Sequence, residues 1–314
     1  MKPKILFVMY MPPPVHGAAM VGQYIHDSEL INGKFESHYI NLTTAKNLQD
    51  IGKVGMRKLL DLIFNTDMFR LKKLDILGSK AELASLPEGK LLINTINAHS
   101  YNTARKDKLF AEALMNGDVL IPDGVSIVKA CRRIKAKSQP KERIAGWDLF
   151  EFEMNKLEEC GVKNVSRSPQ RTVMFMGSSQ KVLDLIVKRA AEVYPHLKVV
   201  TYSPPYKPEF SDEDNKAIID AINAADPDLL WIGMTAPKQE KWTYSHWREL
   251  NIHCHVGTIG AVFDFFDGTV ERAPMWWQRH GFEWLYRLLK EPKRMWRRYI
   301  IGNALFLWNM LKEK

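Results

Sequence analysis

The stretch Val119-Leu120-Ile121-Pro122-Asp123-Gly124-Val125 decides how the chain is read. Its apolar run suits a buried strand, stops at a proline and at once presents a carboxylate. Gly124 frees the backbone to turn, and Val125, Val128 and Cys131 then recur at helical spacing. Strand, turn and helix make up the repeating unit of α/β domains, where residues just past the carboxyl end of a strand line the ligand crevice. Asp123 is therefore the first candidate for a catalytic base. A plain N-cap for the next helix accounts for the same aspartate, so its weight rests on the segments around it.

Upstream, Leu91-Leu92-Ile93-Asn94-Thr95-Ile96-Asn97-Ala98-His99 reads as a strand ending in polar groups, among them Thr95 and Asn97. A helix over Asn102 to Met115 is expected to join it to the Asp123 strand. Downstream, a basic loop (Arg132 to Lys141) leads to Glu142-Arg143-Ile144-Ala145-Gly146-Trp147-Asp148, which opens a further helix. From Arg171 onward the alternation continues. Strands are expected over Thr172 to Met176, Leu197 to Tyr202, Asp228 to Gly233 and Ile252 to Thr258, with helices between. This spacing predicts right-handed βαβ units and an α/β fold: a mostly parallel, Rossmann-like sheet flanked by helices.

Ahead of this core lies an extra α/β segment. Lys4 to Tyr10 reads as a strand, followed by a proline run, a helix through Met20, Tyr24 and Ile25, and a strand over Phe35 to Leu42. This opening resembles two-domain glycosyltransferases of the glycogen-synthase-like type for its first few dozen residues. Lys46 to Leu77 is helical in pattern, and Gly78 to Gly89 reads as a linker. The expected domains are residues 1–89, a core of 90–280 and basic amphipathic helices over 281–314.

With 314 residues, 46% of them apolar and 26% charged, the chain has the composition of a soluble globular protein. Its formal charge of +9 is concentrated after Arg272, which points to a local anionic partner. The three cysteines lack paired spacing, so neither a disulfide framework nor a zinc site is expected. No segment has the length of a bilayer-spanning helix and no cleavable leader is evident. A cytosolic location, or attachment to a membrane from the cytosolic side, is expected.

Three further segments offer chemistry. After Gly233, Met234-Thr235-Ala236-Pro237-Lys238-Gln239-Glu240 marks a helix start whose free amides and Lys238 suit a diphosphate, with Gln239 able to meet a sugar or base. A capped helix with a solvated face is the plainer account. Asp264, set between phenylalanines, has the surroundings of a carboxylate with a raised pKa, though hydrogen-bonded structure explains it equally. In the tail, Arg287, Lys290, Arg294 and Arg297 fall on one side of a helical pattern that Pro292 kinks or divides, with leucines and aromatics opposite. Basic residues beside Trp, Tyr and Leu suit an interfacial helix on an anionic membrane surface.

Together these residues resemble the WecG/TagA/CpsF family of glycosyltransferases (glycosyltransferase family 26), from about Leu91 to Leu311. Thr95-Ile96-Asn97, Pro122-Asp123-Gly124, Arg143 with Gly146 and Asp148, and Ala236-Pro237-Lys238-Gln239-Glu240 carry the resemblance. Phe263-Asp264-Phe265, Arg272-Ala273-Pro274, Glu283-Trp284-Leu285-Tyr286-Arg287-Leu288 and Glu291-Pro292-Lys293-Arg294 extend it in the family's order. The resemblance implies inverting, metal-independent transfer of a sugar, often of N-acetylmannosamine type, from a UDP-sugar to a lipid-diphosphate-linked sugar for cell-surface polysaccharide, without a cofactor. It puts the catalytic aspartate at Asp123, binding residues at Thr95, Asn97 and Arg143, a nucleotide-pocket glutamine at Gln239, and diphosphate-closing arginines at Arg287, Arg294 and Arg297. The eighty or so residues before the first motif depart from the family pattern. Two other readings stand beside this one: a retaining two-domain glycosyltransferase, and a non-catalytic membrane-docking partner in polysaccharide assembly. A nucleic-acid binder is disfavoured because the charge lies among Trp and Leu. Homo-oligomerisation stays open.

Overall fold

The structure, a computed structural model, describes residues 2–9, 17–41, 69–164, 170–279 and 281–313. The chain divides into two compact units, Met1–Asp67 and Met68–Lys314. In the small unit, β1 (Lys4–Met9) and β2 (Glu36–Asn41) pair in parallel, joined through helices Gly17–His26 and Glu29–Lys34. Phe7 and Tyr39 stack across the pair with centroids 5.2 Å apart. The proline run from Met11 and most of the helical pattern expected over Lys46 to Leu77 lie outside the described residues.

The large unit is built on six parallel strands: β3 (Leu91–Ile96), β4 (Val119–Pro122), β5 (Thr172–Gly177), β6 (Lys198–Tyr202), β7 (Leu229–Gly233) and β8 (His255–Thr258), in the order β4-β3-β8-β7-β5-β6. Their side chains alternate between two buried faces, as a sheet covered on both sides requires. Val173, Phe175, Leu229 and Trp231 pack beneath the long helix Gly146–Asn164, against Leu149, Phe150 and Met154. Met174, Met176, Leu230 and Ile232 face Ile218, Ile222 and Trp242 on the other side. Gly257 makes room for this packing, because a Cβ there would lie 2.2 Å from the Trp231 ring.

Two expectations are corrected here. The single helix read over Asn102 to Met115 is two, Ala98–Ala104 and Lys108–Asn116. Asp107 breaks it, its side chain capping the second helix through the Phe110 amide at 3.0 Å. The stretch read as a linker after Gly78 is packed structure. Leu83 is buried in the core, and the Leu77 amide donates to the Leu120 carbonyl of β4 at 2.9 Å. The boundary between compact units thus lies after Asp67 rather than at residue 89.

At the C-terminus, helices Glu283–Lys290 and Pro292–Trp296 are divided at Pro292, and a π-helical turn (Arg297–Ile301) leads into Gly302–Lys312. That last helix lies on Ala98–Ala104, where Phe306 meets Tyr101 edge to face at 5.4 Å. Asn102 donates to the Gly302 carbonyl at 2.7 Å. Glu313 accepts from the Leu71 and Lys72 amides at 3.1 and 2.9 Å and from the Tyr101 hydroxyl. No described helix is long and apolar enough to cross a membrane.

Candidate active site

The carboxyl ends of β3 and β4 lie side by side, with Thr95 paired to Ile121 and Ile96 to Pro122. The chain leaves β3 for β4 at one edge and then crosses to β5 beyond β8 and β7, so the strand order reverses here, where α/β folds place ligands. The Asp123 amide donates to the Ile96 carbonyl at 2.9 Å, which sets the aspartate beside Asn97.

Asn97 caps helix Ala98–Ala104. Its Oδ1 accepts from the His99 and Ser100 amides, each at 3.0 Å, and Ser100 Oγ accepts from the Asn97 amide at 2.7 Å. With the carbonyl oxygen so engaged, the amide nitrogen must face the other way, and Nδ2 donates to Asp123 Oδ2 at 3.2 Å. The other carboxylate oxygen, Oδ1, lies 3.4 Å from the Gly146 amide at the start of the long helix. Desolvation raises the pKa of Asp123 above its ordinary value, and the charge of Glu283 adds to this. The Asn97 hydrogen bond, Arg143 and the Gly146 amide act in the opposite sense. An oriented carboxylate with raised basicity suits proton abstraction from a hydroxyl. Thr95, half-buried, lies two residues before Asn97 at the end of β3.

A second group of side chains surrounds this pair. Arg143 Nη1 donates to Glu283 Oε2 at 3.0 Å, with both side chains only 18% exposed. Glu283 opens the first tail helix, which carries Arg287 one turn on. The tail reaches this position through Gly281, where a Cβ would lie 3.1 Å from Val125 of the Asp123 turn. Arg287 lies over the Phe265 ring at 5.6 Å, and Arg272 lies over Trp147 at 5.0 Å and Phe265 at 5.9 Å. The Nε of Arg272 is buried without a hydrogen-bond partner. Arg272 and Arg287 thus share the Phe265 ring, while Arg143, paired with Glu283, acts on both Asp123 and Arg272. Arg272 and Glu283 belong to motifs visible in the sequence, yet they were not among the site residues expected from it.

Other expected site residues lie elsewhere. Gly233 ends β7, and a Cβ there would lie 2.5 Å from the Phe263 ring, so its smallness serves packing. Gln239 is buried: Oε1 accepts from the Met234 and Gly260 amides at 3.1 and 3.2 Å, and Nε2 donates to Glu240 Oε1 at 2.9 Å. The carboxamide oxygen thus joins the turns after β7 and β8. Lys238 donates to the Lys207 carbonyl and lies over Phe210 at 3.6 Å. Glu240 is buried, and desolvation lifts its pKa to about 7. These four residues sit at the same edge of the sheet as Asp123, but two strands from β3, roughly 10 Å at ordinary strand spacing. Asp264 lies half-buried in helix Gly260–Phe266, its carbonyl accepting from Thr269 Oγ1 and the Val270 amide.

Of the remaining tail arginines, Arg297 is exposed and lies over Trp296 at 5.4 Å. The side chain of Arg294 lies outside the described structure. Among the described residues, no three His, Cys, Asp or Glu side chains are arranged to hold a metal ion. A separate hollow near Glu88, Glu153 and His255 opens at the amino ends of the strands, away from Asp123. Its charges pair with one another, Lys156 with Glu88 at 2.8 Å and His255 with Glu153 at 2.9 Å.

The chain is 30% identical over 223 residues to the N-acetylglucosaminyldiphosphoundecaprenol N-acetyl-beta-D-mannosaminyltransferase of Bacillus subtilis (strain 168), covering 71% of this chain and 80% of that protein. The like-named transferase of Staphylococcus aureus (strain MW2) is 25% identical over 251 residues, covering 80% of this chain and 89% of that protein. The model of the Glycosyl transferase WecG/TagA/CpsF family matches residues 63–314, and the chain belongs to that family of glycosyltransferases.

Proposed function

We propose that the protein transfers a sugar, of N-acetylmannosamine type or another hexose, from a UDP-sugar to a polyprenyl-diphosphate-linked sugar, with inversion and without a metal ion, in cell-surface polysaccharide synthesis. The observation that carries this reading is the Asp123 carboxylate, held between Asn97 and the Gly146 amide with the charge of Arg143 acting on it. The relatives' names, which specify a mannosaminyl group and an undecaprenol-diphosphate sugar, support the substrate class.

In this mechanism the acceptor hydroxyl oxygen attacks the anomeric carbon as its proton passes to Asp123. The bond to the UDP oxygen breaks with its electron pair, and the charge developing on the diphosphate is met by arginines. Lys238 and the helix start it occupies, three strands from β4 and about 14 Å along the sheet edge from Asp123, would lie towards the nucleotide end of the donor. The exposed apolar residues of the tail, including Leu307 at 63%, Trp308 at 58% and Leu311 at 55% exposure, support docking on the inner face of a membrane, where the lipid acceptor resides.

The test is direct. The protein is incubated with a panel of UDP-sugars and vesicles bearing a lipid-diphosphate-linked acceptor, in the presence and absence of a chelator. UDP release and the anomeric configuration of the product are followed. Chelator-insensitive release with inversion is expected for one donor; retention of configuration, or no release with any donor, would overturn the reading.

A further inference from the structure

The guanidinium groups near Asp123 outnumber the carboxylates hydrogen-bonded to them among the described residues. Arg272 and Arg287 lie over Phe265, Arg143 acts on Arg272, and Glu283 is the carboxylate that hydrogen-bonds Arg143. Asp148 and Glu151 also act on Arg272, and Asp148 is already engaged by Lys80 at 3.0 Å and by the Ala145 amide at 2.7 Å. Asp123 is engaged by Asn97 and Gly146. Neither the Arg272 nor the Arg287 guanidinium has a hydrogen bond or ion pair among the described residues, and the buried Nε of Arg272 is an unmet donor. Cations kept together in a half-buried place with unmet N–H groups call for an anion with several oxygens.

We propose that Glu283 is an internal placeholder for a diphosphate: its carboxylate holds Arg143 between turnovers and gives way when the diphosphate of a bound substrate engages Arg143, Arg272 and Arg287. A diphosphate brings more charge and more acceptor oxygens than one carboxylate, and guanidinium forks match its geometry. Glu283 can leave at small cost because it is the first residue of its helix, where an acidic side chain is favoured by the helix dipole with or without Arg143. The same ion pair ties the tail helix to the segment before helix Gly146–Asn164, whose Gly146 amide faces Asp123, so its exchange would couple substrate arrival to the position of Arg287. The proposal rests on the transferase reading only for the source of the diphosphate, which is either the nucleotide or the lipid acceptor.

The experiment measures binding of UDP, of inorganic pyrophosphate and of a short soluble prenyl diphosphate to the full chain and to Glu283→Gln. The variant keeps the shape and removes the competing charge, so the engaged ligand should bind roughly three- to tenfold more tightly. Tightening for UDP but not the prenyl compound assigns the site to the donor, and the reverse assigns it to the acceptor. Equal or weaker binding of all three to a folded variant overturns the proposal, as it would if Glu283 merely buttressed Arg143. Should the variant not fold, carbodiimide labelling of the unaltered protein decides. Glu283 should label faster with saturating pyrophosphate, and unchanged or slower labelling counts against the proposal. Absence of UDP binding to the unaltered chain would tell against the UDP-dependent transferase reading, whereas binding without tightening in the variant rejects only the placeholder.

Discussion

Asn97 Nδ2 donates to Asp123 Oδ2 at 3.2 Å while Asn97 Oδ1 is taken by two backbone amides of its own helix. The cap and the aspartate's partner are therefore one side chain, and its orientation is not free to reverse. Asn97→Asp should keep the cap but set a second carboxylate against Asp123, lowering kcat/KM about 100-fold near neutral pH and moving the acid limb of the pH profile upward. Asn97→Ala should also lose about 1 kcal/mol of stability with the cap. Thermal melts and pH–rate profiles of both variants check this, and an unchanged profile in Asn97→Asp would remove Asn97 from the site.

Burial raises the pKa of Asp123, so the native state holds its proton more tightly than the unfolded chain does. This contribution to stability is full below the unfolded value and is lost as pH rises through the folded one. A general base must be ionised, so activity should rise across the region where stability falls. Asp123→Asn is expected to cut kcat by about 10²- to 10⁴-fold while leaving the melting temperature at pH 8 equal or higher. Lower stability at that pH together with substantial activity would contradict the base role.

Arg143 and Glu283 act on Asp123 in opposite senses, the first lowering and the second raising its pKa. Arg143→Gln should move the acid limb to higher pH and Glu283→Gln to lower pH. Shifts in the same direction for both variants would show that the ion pair works through structure rather than charge.

What could be read from the sequence were features whose cause is local. The run Val119–Pro122 ends at a proline and Asp123 follows it, so both the strand and the placing of the carboxylate at its carboxyl end were legible. The alternation of Thr172–Gly177 and Leu229–Gly233 gave the doubly covered sheet for the same reason. Features with distant partners were not legible. The link from Gln239 to the Gly260 amide was not visible because that amide lies 21 residues on, at another strand end. Leu83 looked like part of a linker because its apolar partners come from other elements of the core. Glu313 gave no signal at all, since the Leu71 amide it receives lies 242 residues earlier.

That last contact carries a prediction of its own. Glu313 is 5% exposed and meets two backbone amides and the Tyr101 hydroxyl. Glu313→Ala would leave these donors unmet and should cost about 2–4 kcal/mol, whereas Glu313→Gln, which keeps an acceptor oxygen, should cost less. Denaturant unfolding compares them. Equal stability of the alanine variant and the parent would mean that the tail is not anchored there.

Glu240 gives the second pH signature and a control for the first. Desolvation lifts its pKa from an ordinary 4.5 to about 7, and its Oε2 is buried without a hydrogen-bond partner. A raised carboxylate contributes stability that is present below pH 4.5 and lost as pH passes 7, by at most about 3 kcal/mol. Glu240→Gln supplies a neutral side chain of the same shape whose oxygen can still accept from Gln239 Nε2. It should flatten the fall in stability between pH 5 and 8, measured by denaturant unfolding, and gain most over the parent at the alkaline end. Because Glu240 lies two strands from β3, its removal should leave the acid limb assigned to Asp123 in place. A variant whose stability falls with pH as steeply as the parent's would show that Glu240 titrates outside this range.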